Sequence, residues 1–154
     1  MRFNLFGGPG IGKSMRAAEI YLKGETELVQ EFVKPKAFRN ELTLGWDCVR
    51  TFSCQLKREL ELLDYVDIVT DSPLLLQVVY AKENGCIAWE QLRDIALKFE
   101  EDYESVNYVL QRCFPYKDDG RFGDEEDARI LDDLITTSLD AWGVEYETLP
   151  CTGK

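Results

Sequence analysis

Apolar and polar positions along the chain alternate between two periods, and the switches between them set the expected elements. Residues 2–6 are short and mostly apolar, as a buried strand is. Residues 15–23 form helix well, and Gly24 follows as a natural stop. Residues 27–33 read as a second strand limited by Pro35. From Trp46 to Leu63, apolar residues recur at Val49, Phe52, Leu56, Leu60 and Leu63, which is helical spacing. Residues 65–71 give a third strand, and Ser72-Pro73 opens a helix through Ala81, with Ser72 as cap and Pro73 as its first residue. Asn84-Gly85 breaks that helix. Another helix spans 89–103 on Trp89, Leu92, Ile95, Ala96 and Phe99. A fourth strand covers 106–110, a helix runs from about 124 to 142 and ends at Gly143, and residues 144–149 make the last strand. Strands alternating with crossover helices predict an α/β fold: a parallel, doubly wound sheet of about five strands.

The junction between the first strand and the first helix carries the strongest chemical signal. Gly7-Gly8-Pro9-Gly10-Ile11-Gly12-Lys13-Ser14 is a glycine, four residues, then Gly-Lys-Ser, in the strand-to-helix context that a phosphate loop requires. Glycines let backbone N–H groups converge on an anion, and the helix N-terminus adds partial positive charge. Gly8, Pro9, Gly10, Ile11, Gly12, Lys13 and Ser14 are therefore the expected nucleotide-binding residues. Lys13 reaches the β- and γ-phosphates of ATP, and the Ser14 hydroxyl ligates Mg²⁺.

Three further stretches complete the expected site. The third strand closes on Asp71, where a carboxylate serves the metal or the attacking hydroxyl. Asp71 is thus expected as both a metal ligand and a catalytic residue; its plain alternative is a cap of the following helix, a place that Ser72 suits better. Glu31 lies near the C-terminal end of the second strand, where ligands sit in open α/β sheets; its plain alternative is a solvated carboxylate. With Arg50 and Gln55 on the Trp46 helix it is a candidate for the acceptor pocket, although most polar residues of that helix fit a solvated face. The polar segment after the fourth strand holds Arg112, Lys117, Arg121 and Arg129. It reads as a lid over about 112–129 that brings positive charge onto the phosphates. Arg121, between Gly120 and Gly123, is the catalytic candidate there, and Arg112 is placed with the nucleotide. Arg129 has an alternative partner among the acids of its own helix.

Composition narrows the chemistry. The 154 residues suit a single domain, 1–154. The chain has no histidine, so any proton acceptor is a carboxylate, Lys, Tyr or Cys. The net charge of −11 disfavours a broad nucleic-acid surface but leaves a local basic cleft open. No apolar run spans a bilayer, and the N-terminus does not read as a signal peptide, which predicts a cytoplasmic protein, in the host cytoplasm if the source is viral. The five cysteines fit no zinc pattern and are expected as free thiols.

The chain resembles the small P-loop kinases of nucleosides and nucleotides. More narrowly, it is similar to the nicotinamide-riboside-kinase-like group and related phage-encoded kinases. Gly7 to Ser14, Val29-Gln30-Glu31-Phe32, and Phe114-Pro115-Tyr116 through Arg121 with the charged helix and final strand carry the likeness. The resemblance implies a three-layer P-loop NTPase fold, use of ATP and Mg²⁺, and transfer of the γ-phosphoryl to a nucleoside, nucleotide or similar small acceptor by a monomer or homodimer. The chain lacks the tandem-arginine lid of nucleoside monophosphate kinases. Asp71-Ser72-Pro73 also departs from the Glu-Arg-Ser or Asp-Arg-Ser of deoxynucleoside kinases. An ATPase switch acting on a protein partner uses the same loop, and a kinase of hydroxymethylated bases in DNA is a further alternative.

Overall fold

A computed structural model describes residues 1–33, 35, 39, 45–113 and 124–150. Its five strands are β1 (Arg2–Phe6), β2 (Glu27–Val29), β3 (Ile68–Thr70), β4 (Ser105–Leu110) and β5 (Glu147–Leu149). They form one sheet in the order β2-β3-β1-β4-β5, and every neighbouring pair is parallel. Asn4 is level with Thr70 of β3 and with Asn107 of β4, which puts β1 at the centre of the sheet. The chain leaves β1 toward one edge and returns past it to reach β4, so the C-terminal ends of β1 and β3 flank the point where winding reverses. Open α/β sheets take their ligands at that point.

Five helices cover the described sheet: α1 (Lys13–Tyr21), α2 (Asp47–Leu63), α3 (Leu74–Glu83), α4 (Trp89–Asp102) and α5 (Glu125–Ala141). The period-2 alternation of β1 divides its side chains between two cores. Leu5 packs with Ala17 of α1 and Val69 of β3, with Phe3, Ile20 and Leu28 around them. Phe6 points the other way, into a larger core with Phe52 of α2, Leu74 to Leu76 of α3, Ala96 and Phe99 of α4, and Ile135 and Leu139 of α5. The result is three layers, α1 on one face of the sheet and the other helices on the opposite face.

Several elements differ from the expected ones. The strands β2, β3 and β5 are three residues each, because only three positions of each find a parallel partner. Tyr65 and Val66 belong to the turn leaving α2, where both N–H groups bond to the Leu62 carbonyl. Tyr65 is 83% exposed, so its β-propensity is overridden. Pro73, with φ −61° and ψ 156°, is the N-cap of α3 rather than its first helical residue. Ser72 does not cap; its hydroxyl accepts from the Gln77 amide. The buried stripe of α2 is Cys48, Thr51, Phe52, Gln55 and Glu59, rotated from the expected one, with Leu60 on the exposed side. The cysteines also depart from expectation: Cys48 and Cys86 form a disulfide joining α2 to the turn after α3, with Cα atoms 6.2 Å apart, while Cys54 is a free thiol. Among the described residues no helix is long and apolar enough to cross a membrane.

Candidate active site

The loop leaves the buried strand β1 at Gly7 and enters α1 at Lys13. Gly12 is the N-cap of α1 with φ +101°, a left-handed conformation that L side chains rarely adopt. Gly8 is required by space. A Cβ there would lie 2.5 Å from Asp132 Oδ1 and 2.7 Å from the Ala128 carbonyl, both on α5. The missing side chain is what lets α5 close on the loop.

Lys13 folds back onto its own loop. Its ammonium donates to the carbonyls of Gly7 at 2.7 Å and Gly8 at 3.1 Å. Burial holds its pKa below the ordinary 10.5, and the carboxylates of Glu31, Asp71 and Asp132 oppose that shift. The Ser14 hydroxyl donates to Asp71 Oδ2 at 2.6 Å. Asp71 is 4% exposed, and its second oxygen accepts the backbone N–H of Glu31 at 3.0 Å. One carboxylate at the end of β3 therefore ties the start of α1 to the segment after β2.

The structure also brings in Gln55. Its side chain is fully buried, and Oε1 accepts the backbone N–H of Phe32 at 2.9 Å. Its Nε2 is buried with no hydrogen-bond partner among the described residues. Gln55 is thus a built part of this side of the site rather than solvated face. Arg50 is not joined to it: it is 63% exposed and pairs with Asp47 at 2.8 Å. Arg129 takes its alternative partner, Glu125 on the same helix, at 2.8 Å. Arg121 and Lys117 fall outside the described residues.

Arg112, just past β4, stands on the far side of the loop. It forms a two-pronged pair with Asp132, Nε to Oδ2 at 2.7 Å and Nη2 to Oδ1 at 3.1 Å. Asp132 Oδ1 also accepts the Gly8 N–H at 2.6 Å. The sequence reading missed Asp132. The available signal was its place on the stripe Ala128, Asp132, Ile135, Leu139, where a carboxylate interrupts core-facing positions. Tyr80 was also missed. Its hydroxyl approaches the Gly7 carbonyl at 3.5 Å, and burial with the charges of Glu31 and Asp132 pushes its pKa far up, so it stays a neutral phenol.

The site gathers an ammonium, a guanidinium and a hydroxyl–carboxylate pair around one glycine-rich loop. Such a set binds a phosphate chain and a hard cation. No protein-family model matches the chain, and no curated protein matches it. Solved structures do. The chain is similar to NadR solved in complex with NR, with a TM-score of 0.74 and 16% identity over 96% of this chain. It spans 43% of that NadR chain. It is also similar to deoxyadenosine kinase from M. mycoides with bound dATP, with a TM-score of 0.51 and 19% identity over 97% of this chain and 91% of that one.

The likeness is one of fold: a five-stranded all-parallel sheet with helices on both faces. Within it, the loop after β1 and the acid after β3 sit side by side at the switch point, and the charged helix α5 closes on the loop from the β4 side. With no histidine in the chain, the titratable acids whose charge acts on Lys13 are the carboxylates of Glu31, Asp71 and Asp132.

Proposed function

We propose that the chain is an ATP- and Mg²⁺-dependent phosphotransferase that moves the γ-phosphoryl of ATP to a small nucleoside-like acceptor. The observation that carries this reading is the Ser14–Asp71 contact of 2.6 Å beside Lys13. It joins the hydroxyl and the carboxylate that P-loop kinases need around the metal and the reacting phosphate. The structurally similar proteins, NadR in complex with NR and deoxyadenosine kinase with bound dATP, support a nucleoside-like acceptor.

In this reading the loop amides and the α1 N-terminus hold the phosphate chain. Lys13 exchanges its two loop carbonyls for phosphate oxygens, and Arg112 meets the nucleotide from the β4 side. The donor set at Ser14 and Asp71 fits Mg²⁺, since both offer hard oxygen atoms. Among the described residues no group of three or more metal-ligating side chains occurs, so these two would hold the ion together with phosphate oxygens and water. When bound, Mg²⁺ supplies charge neutralisation on the transferring phosphoryl.

Glu31 and Gln55 face the acceptor. The idle Gln55 Nε2 is a buried donor suited to a polar edge of that molecule. Asp71, held by the Glu31 N–H, takes the acceptor hydroxyl proton or steadies the metal. Residues 112–129 act as a lid on a single domain spanning 1–154, with Arg121 brought onto the transferring phosphoryl. Replacing Asp71 by Asn tests the assignment: acceptor-dependent ADP release falls by about 100-fold or more. Full turnover in that variant would return Asp71 to a structural role.

A further inference from the structure

Arg112 is a candidate nucleotide contact that the protein holds in place through a carboxylate of α5. Its side chain is 5% exposed, yet its Nη1 has no hydrogen-bond partner among the described residues. Burying a guanidinium is costly unless its donors are satisfied. Asp132 satisfies two of them, at 2.7 and 3.1 Å, and with the same carboxylate accepts the Gly8 N–H at 2.6 Å. The planar fork leaves the guanidinium little freedom to turn. The remaining nitrogen, Nη1 with its two N–H groups, is therefore fixed relative to the phosphate loop before any nucleotide arrives.

We propose that Asp132 is a positioning residue: it clamps Arg112 to the Gly8 turn, so that the unpaired Nη1 is presented to the nucleotide phosphates. The proposal rests on the phosphotransferase reading above, for the identity of the ligand. Three elements meet in the clamp, the loop after β1, the segment after β4, and α5. Gly8 admits it only because it lacks a side chain, with Arg112 Nη2 at 3.1 Å from where a Cβ would sit. A carboxylate kept solely for stability would not need the amide of a phosphate loop.

Preorganisation of this kind shows as coupling. Mg·ATP dissociation constants are measured by calorimetry for the wild type, Arg112→Ala, Asp132→Asn, Asp132→Ala and the Arg112→Ala/Asp132→Ala double variant. Asp132→Asn keeps the shape and loses the charge, so it decides the matter if Asp132→Ala fails to fold. Asp132→Asn is expected to weaken Mg·ATP by roughly tenfold, the scale of one charge-assisted hydrogen bond. The double variant is expected to bind no more weakly than Arg112→Ala alone. Additive losses, or unchanged affinity in Asp132→Asn with only a lowered melting temperature, would overturn the proposal and make Asp132 a packing residue. Wild-type protein that binds Mg·ATP but phosphorylates no acceptor would sink the kinase reading alone, while the coupling still decides the role of Asp132.

Discussion

The two ends of the central strand bury charge in opposite ways. At the C-terminal end of β1, Lys13 rests on two carbonyls of its own loop, and Arg112 and Gln55 each keep a buried nitrogen idle. At the N-terminal end, Arg2 is buried completely and spends its guanidinium on the protein. It reaches Glu100 at 2.9 Å, Glu59 at 3.4 Å and the Tyr103 carbonyl at 3.2 Å, with the Phe99 ring 4.5 Å away. Asn4 extends the network by donating to Asn107 at 2.8 Å. One end is a closed cluster that fixes β1 against α2, α4 and β4. The other gathers the same kinds of group around the loop after β1. Idle buried atoms occur at both ends, since Arg2 Nε, Asn4 Oδ1 and Glu59 Oε1 also lack hydrogen-bond partners among the described residues; what differs is that Arg2 is held by two carboxylates, whereas Lys13 rests on carbonyls of its own loop.

The comparison breaks first at Arg2. Arg2→Leu leaves two carboxylates buried without a cation, and removing one partner of a buried pair costs about 3–5 kcal/mol. The expected result is a large loss in the urea midpoint; an unchanged midpoint would mean that the cluster contributes nothing. Lys13→Ala has the complementary pattern. Turnover falls by roughly 100- to 1,000-fold, as when a donor to a transition-state oxyanion is removed, with little change in melting temperature. Nucleotide binding and turnover that survive this change would contradict the phosphate-loop assignment.

A third effect is pH-dependent and confined to the closed end. Burial raises the Glu59 pKa from 4.5 to about 7, with Arg2 opposing and Glu100 adding to the shift. A folded-state pKa above the unfolded one means that the folded protein binds the proton more tightly. The stabilisation is then complete below pH 4.5 and is lost as pH rises through about 7. Unfolding stability of the wild type is expected to fall by about 2 kcal/mol between pH 5 and pH 8 from this group. Glu59→Gln removes that slope; the same slope in both proteins would assign it elsewhere. The smallest effect expected is at Arg50. Its ion pair with Asp47 is exposed, so Arg50→Ala changes stability by under about 1 kcal/mol. A loss of acceptor affinity of tenfold or more in this variant would bring Arg50 into the site after all.

Legibility in the sequence followed the locality of the signal. The phosphate loop is contiguous, so Gly7 to Ser14 could be read without the fold. The placement of Asp71 at the end of β3, against Ser14, was legible because a strand ending in an acid is also a local pattern. The doubly wound sheet followed from alternation, but three strand lengths did not, since pairing partners such as Ile68 to Thr70 set them rather than propensity. The polar members of buried stripes were the main loss, apart from Gln55, an acceptor-pocket candidate on a helix whose polar residues mostly fit a solvated face. Gln55, Glu59 and Asp132 occupy core-facing positions of α2 and α5, yet helical periodicity counts only apolar residues. Their partners, the Phe32 N–H, Arg2 and Arg112, lie 23, 57 and 20 residues away in sequence. Contacts at such separations are made by the fold, and no spacing rule reaches them.

The central claim is that the open end of β1 performs phosphoryl transfer to a small acceptor. The most direct test is ADP release from Mg·ATP, alone and with a panel of nucleosides, nucleoside monophosphates, nicotinamide riboside, and single- and double-stranded DNA carrying hydroxymethylated bases. The account predicts release that is slow alone and rises sharply with one small nucleoside-like acceptor, together with a phosphorylated product. Slow release that no acceptor changes would contradict it and point to an ATPase, and release stimulated only by DNA would move the acceptor from a small molecule to a polymer.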